Sequence, residues 1–321
     1  MNRMIHRSLR LAKWLVWIKI LGNRKIATIF RQSDIPFRLV TSDGRAMIVG
    51  KSAIPITVDN AALLAKSWAY LVSVAKASDA QWSTFGPAAL KVEVLGIKLI
   101  ISTPEEAFIL HEVFVEGIYS MAATGPVAVV DIGVNIGTAS LYFASQPWVA
   151  SVTGFEPLLP TYEQAKQHLE MNGHLADKII FFNYGLADSD REALVDYSPT
   201  WKGSVGIYTP PQFVQRAADQ RKERIRLRNA SDVFHEILAK SQVKKTIVKM
   251  DCEGAEYEIV KDLVRSGAIQ RISAFMIEWH DRGPQILRDA LVGCGFVVWT
   301  MKTDTDRDIG LMYAVWNESP R

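Results

Sequence analysis

Three short stretches of this chain set acids beside a sharp bend or at a strand end. The first reads Val130-Asp131-Ile132-Gly133-Val134-Asn135-Ile136-Gly137-Thr138. Gly133 and Gly137 carry no Cβ, so the backbone can turn tightly there and approach a ligand closely. The spacing is Gly-x-x-x-Gly. It departs from the Gly-x-Gly-x-x-Gly of dinucleotide sites and disfavours a nicotinamide oxidoreductase. A pyrophosphate loop gains from backbone amides without an acid, whereas Asp131 beside the bend suits a cationic ligand. The second stretch, Val248-Lys249-Met250-Asp251-Cys252-Glu253-Gly254-Ala255-Glu256, sets Asp251 and Glu253 either side of Cys252. The third, Met276-Ile277-Glu278-Trp279-His280-Asp281, supplies Glu278 and His280. Removing a hydroxyl proton needs a carboxylate or an imidazole, and Asp251, Glu253, Glu278 and His280 are the candidates. His280 titrates near neutrality, while the carboxylates need raised pKa values or act by orienting. The same four side chains offer oxygen and nitrogen donors to a metal. Their spacing does not force one, so no metal site is assigned and metal dependence stays open. Cys252 reads as a small buried residue with no base beside it.

Two further acids belong with the first bend. Glu156 ends Val152-Thr153-Gly154-Phe155-Glu156-Pro157, 25 positions after Asp131. An acid roughly 20 residues on accepts both ribose hydroxyls in open α/β sheets. Asp188, in Tyr184-Gly185-Leu186-Ala187-Asp188-Ser189, is placed to meet an adenine amino group. A nucleoside with a cationic portion, such as S-adenosylmethionine, satisfies all of these.

The elements that must hold these residues alternate. Strands are expected at Val127–Ile132, Ser151–Phe155, Lys178–Tyr184, Thr246–Met250 and Ile272–Ile277, with helices at 138–145, 162–172, 255–266 and 285–294. Thr161 is the expected cap of the second helix. Strand–helix alternation predicts a parallel sheet with right-handed crossovers. The closing strands, 296–302 and 311–316, have no helix between them and must form an antiparallel hairpin. A parallel sheet closed by such a hairpin is the class I methyltransferase layout. Ahead of it, 34–102 reads as an α+β accessory region, with two strands around Ser42-Asp43-Gly44, a helix over 60–77, and a strand pair around Gly96. Thr103-Pro104-Glu105-Glu106 opens another helix, and 103–321 is read as one domain.

Composition narrows the class. Hydrophobic residues make up 49% and charged residues 22% of 321, which excludes general disorder. Two cysteines exclude a disulfide scaffold and favour a reducing, cytoplasmic compartment. Residues 1–33 hold eight Lys or Arg and no acid, leaving the rest with a net charge of −5. A nucleic-acid binder would be basic throughout, so none is expected as partner. In that segment Met4, Leu11, Trp14, Leu15, Ile18 and Leu21 recur at helical spacing, with Arg3, Arg7, Arg10 and Lys13 mostly opposite. It fits a helix on the inner membrane face with Trp14 and Trp17 at headgroup level. It equally fits a helix packed on the protein's own core or on a second subunit. No small-residue cleavage site follows, so a secretory signal is not expected.

Taken together, Val129–Gly137, Phe155–Pro157, Leu169–Gly173, Asn183–Ser189, Lys249–Glu256 and Ile277–His280 resemble the FkbM-type methyltransferase family. The resemblance implies O-methyl transfer from S-adenosylmethionine, often to a sugar or polyketide hydroxyl. By position it implies Asp131, Gly133, Asn135, Gly137 and Glu156 around the cofactor, and Asp251 and Glu253 beside the acceptor. Val134 departs from the small residue usual between the Gly and the Asn. Asp232, in Arg228-Asn229-Ala230-Ser231-Asp232, is a weak counterpart of the usual Thr-Leu-Asp step. The insertion 196–228 holds Tyr197, Trp201, Tyr208 and the basic run 221–228; it is placed to cover the acceptor, where aromatics can stack on a sugar, and it equally fits a surface hairpin with a solvated charged helix. A non-catalytic nucleoside-binding or assembly subunit of a glycan pathway is the alternative reading.

Overall fold

A computed structural model describes residues 2–206, 216–304 and 308–317; Tyr208 lies outside them, as do the side chains of Arg3, Met4, Arg7, Arg10 and Leu11. The chain divides into two units, Met1–Ile118 and Tyr119–Arg321.

In the first unit, α1 (Asn2–Leu21) and α2 (Arg24–Phe30) precede a hairpin of β1 (Ala46–Val49) and β2 (Ser52–Pro55). The chain does turn at Ser42-Asp43-Gly44, where Val40 is bridged antiparallel to Met47, but the paired strands β1 and β2 turn at Gly50, because Phe37–Leu39 takes a single 3-10 turn where the first strand was expected. Helix α3 (Ala61–Ala77) is followed by an antiparallel sheet of β3 (Gln81–Phe85), β4 (Ala89–Val94) and β5 (Ile97–Ile101), the last two joined at Gly96 as expected. Helix α4 (Pro104–His111) is opened by a complete capping box: Thr103 receives the Glu106 amide, and the Glu106 carboxylate receives the Thr103 amide. Trp17 is fully buried within this unit, its ring 5.3 Å from Phe30 and 4.4 Å from Phe37. Leu21 is buried and Leu15 exposed, so the covered stripe of α1 runs through Trp17 and Leu21. Trp17 therefore does not sit at a headgroup; it packs on its own unit. No helix among the described residues is long and apolar enough to cross a membrane.

The second unit is the α/β sheet. Its elements are β6 (Val127–Ile132), α5 (Thr138–Ser145), β7 (Val149–Phe155), α6 (Leu159–Met171), β8 (Ile179–Phe182), β9 (Gly185–Ala187), β10 (Arg191–Tyr197) and β11 (Arg221–Asn229). They continue as α7 (Ala230–Lys240), β12 (Lys245–Met250), α8 (Glu256–Ser266), β13 (Ala274–His280), α9 (Gln285–Gly293), β14 (Phe296–Asp304) and β15 (Ile309–Trp316). Seven strands form one sheet in the order β14-β15-β13-β12-β6-β7-β8. All neighbours pair parallel except β15, which runs antiparallel between β13 and β14. This is the class I methyltransferase layout. Every residue of β6 is buried, as a central parallel strand with both faces covered requires.

Two local expectations are corrected. Helix α6 starts at Leu159, with Pro160 in its first turn, so Thr161 lies inside it and caps nothing. The basic run 221–228 is a strand, β11, paired antiparallel with β10 and parallel with β9. Its alternation of buried Ile225 and Leu227 with outward arginines is the period of a half-covered strand.

At the bend after β6 the chain is tied on both sides. The Gly133 and Val134 amides donate to the Phe155 carbonyl at the end of β7, and the Asp251 amide donates to the Ile132 carbonyl. Gly133 has φ +79°, and a Cβ there would overlap the Asp251 carbonyl oxygen. The glycine thus makes room for the neighbouring strand end. Val134, the departure from the family pattern, is buried over Gly154, where any Cβ would collide with it. Gly50 also has positive φ but faces open space. Gly50→Ala should therefore cost only the left-handed strain, about 1–2 kcal/mol. Gly133→Ala should add about 1–3 kcal/mol for the displaced strand end. Urea unfolding of both variants checks this, and equal losses would rule out the packing account.

Candidate active site

Beneath the bend lies a buried ion pair. Asp131 is fully buried; its Oδ2 accepts from Ser140 Oγ at 2.5 Å and its Oδ1 is 3.1 Å from Lys249 Nζ. Lys249 also donates to the Gly133 carbonyl at 2.5 Å, lies 3.9 Å from Asp251 Oδ2, and sits 5.6 Å from the centre of the Tyr119 ring. Burial opposes its charge, but Asp131 and then Asp251 outweigh that and hold its pKa above the ordinary value. Asp131 therefore serves inward, neutralised by Lys249, where the sequence suggested a direct partner for a cationic ligand. Lys249 itself carries no role in the sequence reading. Its signal was present: a lysine in an apolar strand, Thr246–Met250, must find a buried partner.

Asn135 takes φ +52°, a left-handed conformation that few non-glycine residues adopt. Its amide donates to Glu156 Oε2 at 2.9 Å, while the Leu158 amide donates to Glu156 Oε1 at 2.9 Å. Glu156 thereby joins the bend after β6 to the end of β7. Its burial pushes its pKa up to about 7 against the pull of those two amides. A carboxylate has about four acceptor positions, so two remain. Asn183 donates to the Glu156 and Pro157 carbonyls and fixes that turn from the end of β8. His168 on α6 lies 2.8 Å from the Ile136 carbonyl and supports the bend from below. Gly137, with φ +88°, precedes α5. Asn135 Oδ1 and Thr138 Oγ1 are buried there without a hydrogen-bond partner.

Asp188 is placed differently from expectation. The third strand of the sheet ends at Phe182, and Asp188 follows the separate strand β9. Half exposed, it pairs with Arg191 at 2.8 Å and receives Ser189 Oγ. The Ser189 hydroxyl and the Arg191 charge hold its pKa below the usual carboxylate value.

The acids of the second and third stretches do converge, because β12 and β13 are adjacent. One donor atom each from Asp251, Glu278 and His280 lies within 4.8 Å of the others. Glu253 Oε1 is 3.8 Å from His280 Nε2, and Glu256 Oε1 is 3.0 Å from His280 Nδ1. Glu256 is fully buried and also receives the Cys252 amide at 3.2 Å. It is the orienting partner of His280, a role the sequence did not single out. Tyr257 Oη lies 3.0 Å from the His280 carbonyl and 2.9 Å from that of Gly283, pinning the end of β13. Burial opposes charge on His280, but Glu253, Glu256 and Asp251 outweigh it and raise its pKa well above the ordinary value. Burial pushes Glu253 up to about 8 and Glu278 up to about 7. Burial also raises the Cys252 thiol, which leaves it unreactive. Glu253 has φ +51° and Asp281 φ +64°. Left-handed, non-glycine residues thus follow each of the three adjacent strands β6, β12 and β13, and such strain gathers at functional rims.

The insertion reaches this rim. A Cβ on Gly206 would come within 2.7 Å of the Glu253 carbonyl, so the backbone at Gly206 packs on the Glu253 turn. Trp201, five residues earlier, is partly buried. Tyr197 is almost fully buried under the Arg221 guanidinium and is not available to stack on a ligand.

The Methyltransferase FkbM domain model matches residues 131–298, which enclose every candidate site residue. The chain belongs to the FkbM methyltransferase family. It is 28% identical over 212 residues to the AMB antimetabolite synthetase AmbE of Pseudomonas aeruginosa, covering 56% of this chain and 10% of that protein. It is 27% identical over 227 residues to Methyltransferase sdnD of Sordaria araneosa, covering 59% and 86%. Among solved structures it is similar to Methyltransferase FkbM from Methylobacillus flagellatus, at 15% identity, TM-score 0.42, and coverage of 61% and 45%. The chain thus spans a tenth of the length of AmbE and less than half of the solved FkbM chain.

The ion pair beneath the bend has a measurable consequence. Lys249→Met should cost about 3–5 kcal/mol by stranding a buried carboxylate. Adding Asp131→Asn should recover much of that loss. A double-mutant cycle by urea denaturation checks it; additive losses would show that the two side chains do not interact.

Proposed function

We propose that this chain transfers a methyl group from S-adenosylmethionine to a hydroxyl of a sugar, glycan or related natural product. The observation that carries the reading is the family match, which runs through both the Asp131–Gly137 bend and the Asp251–His280 rim. The residues present suit the cofactor. Asn135 Oδ1 and Thr138 Oγ1 are buried acceptors lacking a partner at the bend, and Glu156 retains two acceptor positions for a ribose diol. Gly133, Asn135, Gly137 and Glu156 line this pocket in our reading. Asp131 supports it from beneath through Lys249, and Asp188 takes no part. When bound, the cofactor supplies a methyl on a positively charged sulfur, which needs alignment more than activation.

The chain's own residues position the acceptor and take its proton. Glu253 is the base in this reading. It stands at a strained turn, and among the described residues the basic group paired with its carboxylate is His280 Nε2, at 3.8 Å, whereas Asp251 has Lys249 beside it. His280, held at Nδ1 by Glu256 at 3.0 Å, is not the base in this reading. It steadies the rim. The insertion meets the rim at Gly206, and Trp201, five residues before it, is the aromatic offered to a sugar face in this reading. The small-molecule acceptor, the reducing compartment suggested by free Cys252 and Cys294, and the absence of a nucleic-acid partner belong to the same reading.

Purified protein and methyl-labelled S-adenosylmethionine, added to an extract of cells lacking the protein, should place label in the carbohydrate fraction. Label confined to protein, lipid or nucleic acid would overturn the acceptor class. Glu253→Gln should lower that transfer by about 10²–10⁴-fold while S-adenosylmethionine affinity is kept. Unchanged transfer would remove Glu253 as base. Ribose hydroxyls donate best to ionised Glu156, and its raised pKa means the ion is present only above about pH 7. Calorimetric affinity for S-adenosylmethionine should therefore weaken as pH falls through about 7. In Glu156→Gln it should be weaker and flat with pH; a retained slope would assign the titration to another group.

A further inference from the structure

We infer that Asp251, Glu278 and His280 form a site for one divalent transition-metal ion of the Mn²⁺ type. The three donor atoms lie within 4.8 Å of one another. Two ligands on opposite sides of one ion, at bonds of about 2.0–2.4 Å, stand roughly 4–4.8 Å apart, so the cluster needs little closure.

Two further observations point to a ligand. The first is the state of His280. It is 3% exposed, and Nδ1 is engaged by Glu256 at 3.0 Å, while the acid nearest Nε2 is at 3.8 Å, beyond hydrogen-bond range. A buried imidazole with one nitrogen held by a carboxylate and the other free toward acids is how metal-ligating histidines are oriented. The second is unmet acceptor capacity. Glu278 receives no hydrogen bond from any described residue, although it is largely covered. Glu256 Oε2 is buried without a partner. The Lys249 ammonium lies nearer Asp131 than Asp251. Two carboxylates with one imidazole suit Mn²⁺, Fe²⁺ or Zn²⁺ better than Ca²⁺.

The site itself stands on this geometry. Its use rests on the methyl-transfer reading: an ion here would hold the acceptor hydroxyl and favour loss of its proton to Glu253.

The test uses the full chain, stripped with a chelator and titrated with MnCl₂ while free Mn²⁺ is followed by electron paramagnetic resonance. One Mn²⁺ should be held per chain. Glu278→Gln and Asp251→Asn should each abolish it. Glu256→Gln, which loosens His280 without removing a ligand, should weaken binding by about 10–100-fold. Calorimetric titration with S-adenosylmethionine, run on each variant without metal, reports whether the fold is intact. Failure of wild-type protein to hold Mn²⁺, or wild-type binding by folded Glu278→Gln, would overturn the site. Cofactor binding without Mn²⁺ binding would sink the metal site alone. Mn²⁺ binding without cofactor binding would sink the methyl-transfer reading and leave the site standing.

Discussion

The structure of the second unit turns on one buried cation. Lys249 reaches from β12 beneath the bend after β6, where it meets Asp131 and the Gly133 carbonyl. A buried lysine is stable only when its charge is balanced and its hydrogens are accepted. Here a carboxylate and a backbone carbonyl do both. The consequence is mechanical as well as electrostatic. Strands β6 and β12 cannot shift against each other without separating that pair. The missing Cβ of Gly133 and the Asp251–Ile132 backbone bond fix the same junction from above.

The outer rim builds on that junction. Glu156 draws the Asn135 turn toward β7, and Glu256 draws His280 toward β12. In each case a buried carboxylate joins the ends of two different strands. The left-handed backbone at Asn135, Glu253 and Asp281 is held by these ties, since alone it would relax. The acids at the surface of the rim are consequently crowded and poorly solvated, which is why Glu253 and Glu278 keep protons to about 8 and 7.

Much of the framework was legible from sequence. Strands such as Val127–Ile132 announce themselves by short β-branched runs, and helix Thr138–Ser145 by its flanking glycine. The antiparallel closing pair followed from the lack of a crossover helix. The errors arose where local signals compete. Ser42-Asp43-Gly44 does turn, yet the strand pair that forms lies around Gly50. Residues 221–228 are too charged to suggest a strand, but pairing on both sides and buried Ile225 and Leu227 override propensity. Trp17 reads alike on a membrane or a core, and only its contacts with Phe30 and Phe37 distinguish them.

The amino-acid sequence by itself determined the sheet class and the three acid-bearing stretches, because periodicity and glycine placement are local. Only the tertiary structure decided which acids face inward and which face the rim. Asp131 and Glu256 are buried partners of a lysine and a histidine, whereas Asp251 and Glu278 stand with unused acceptors beside His280. That division depends on neighbours more than a hundred residues away in the chain, such as Lys249 for Gly133, which no local pattern encodes.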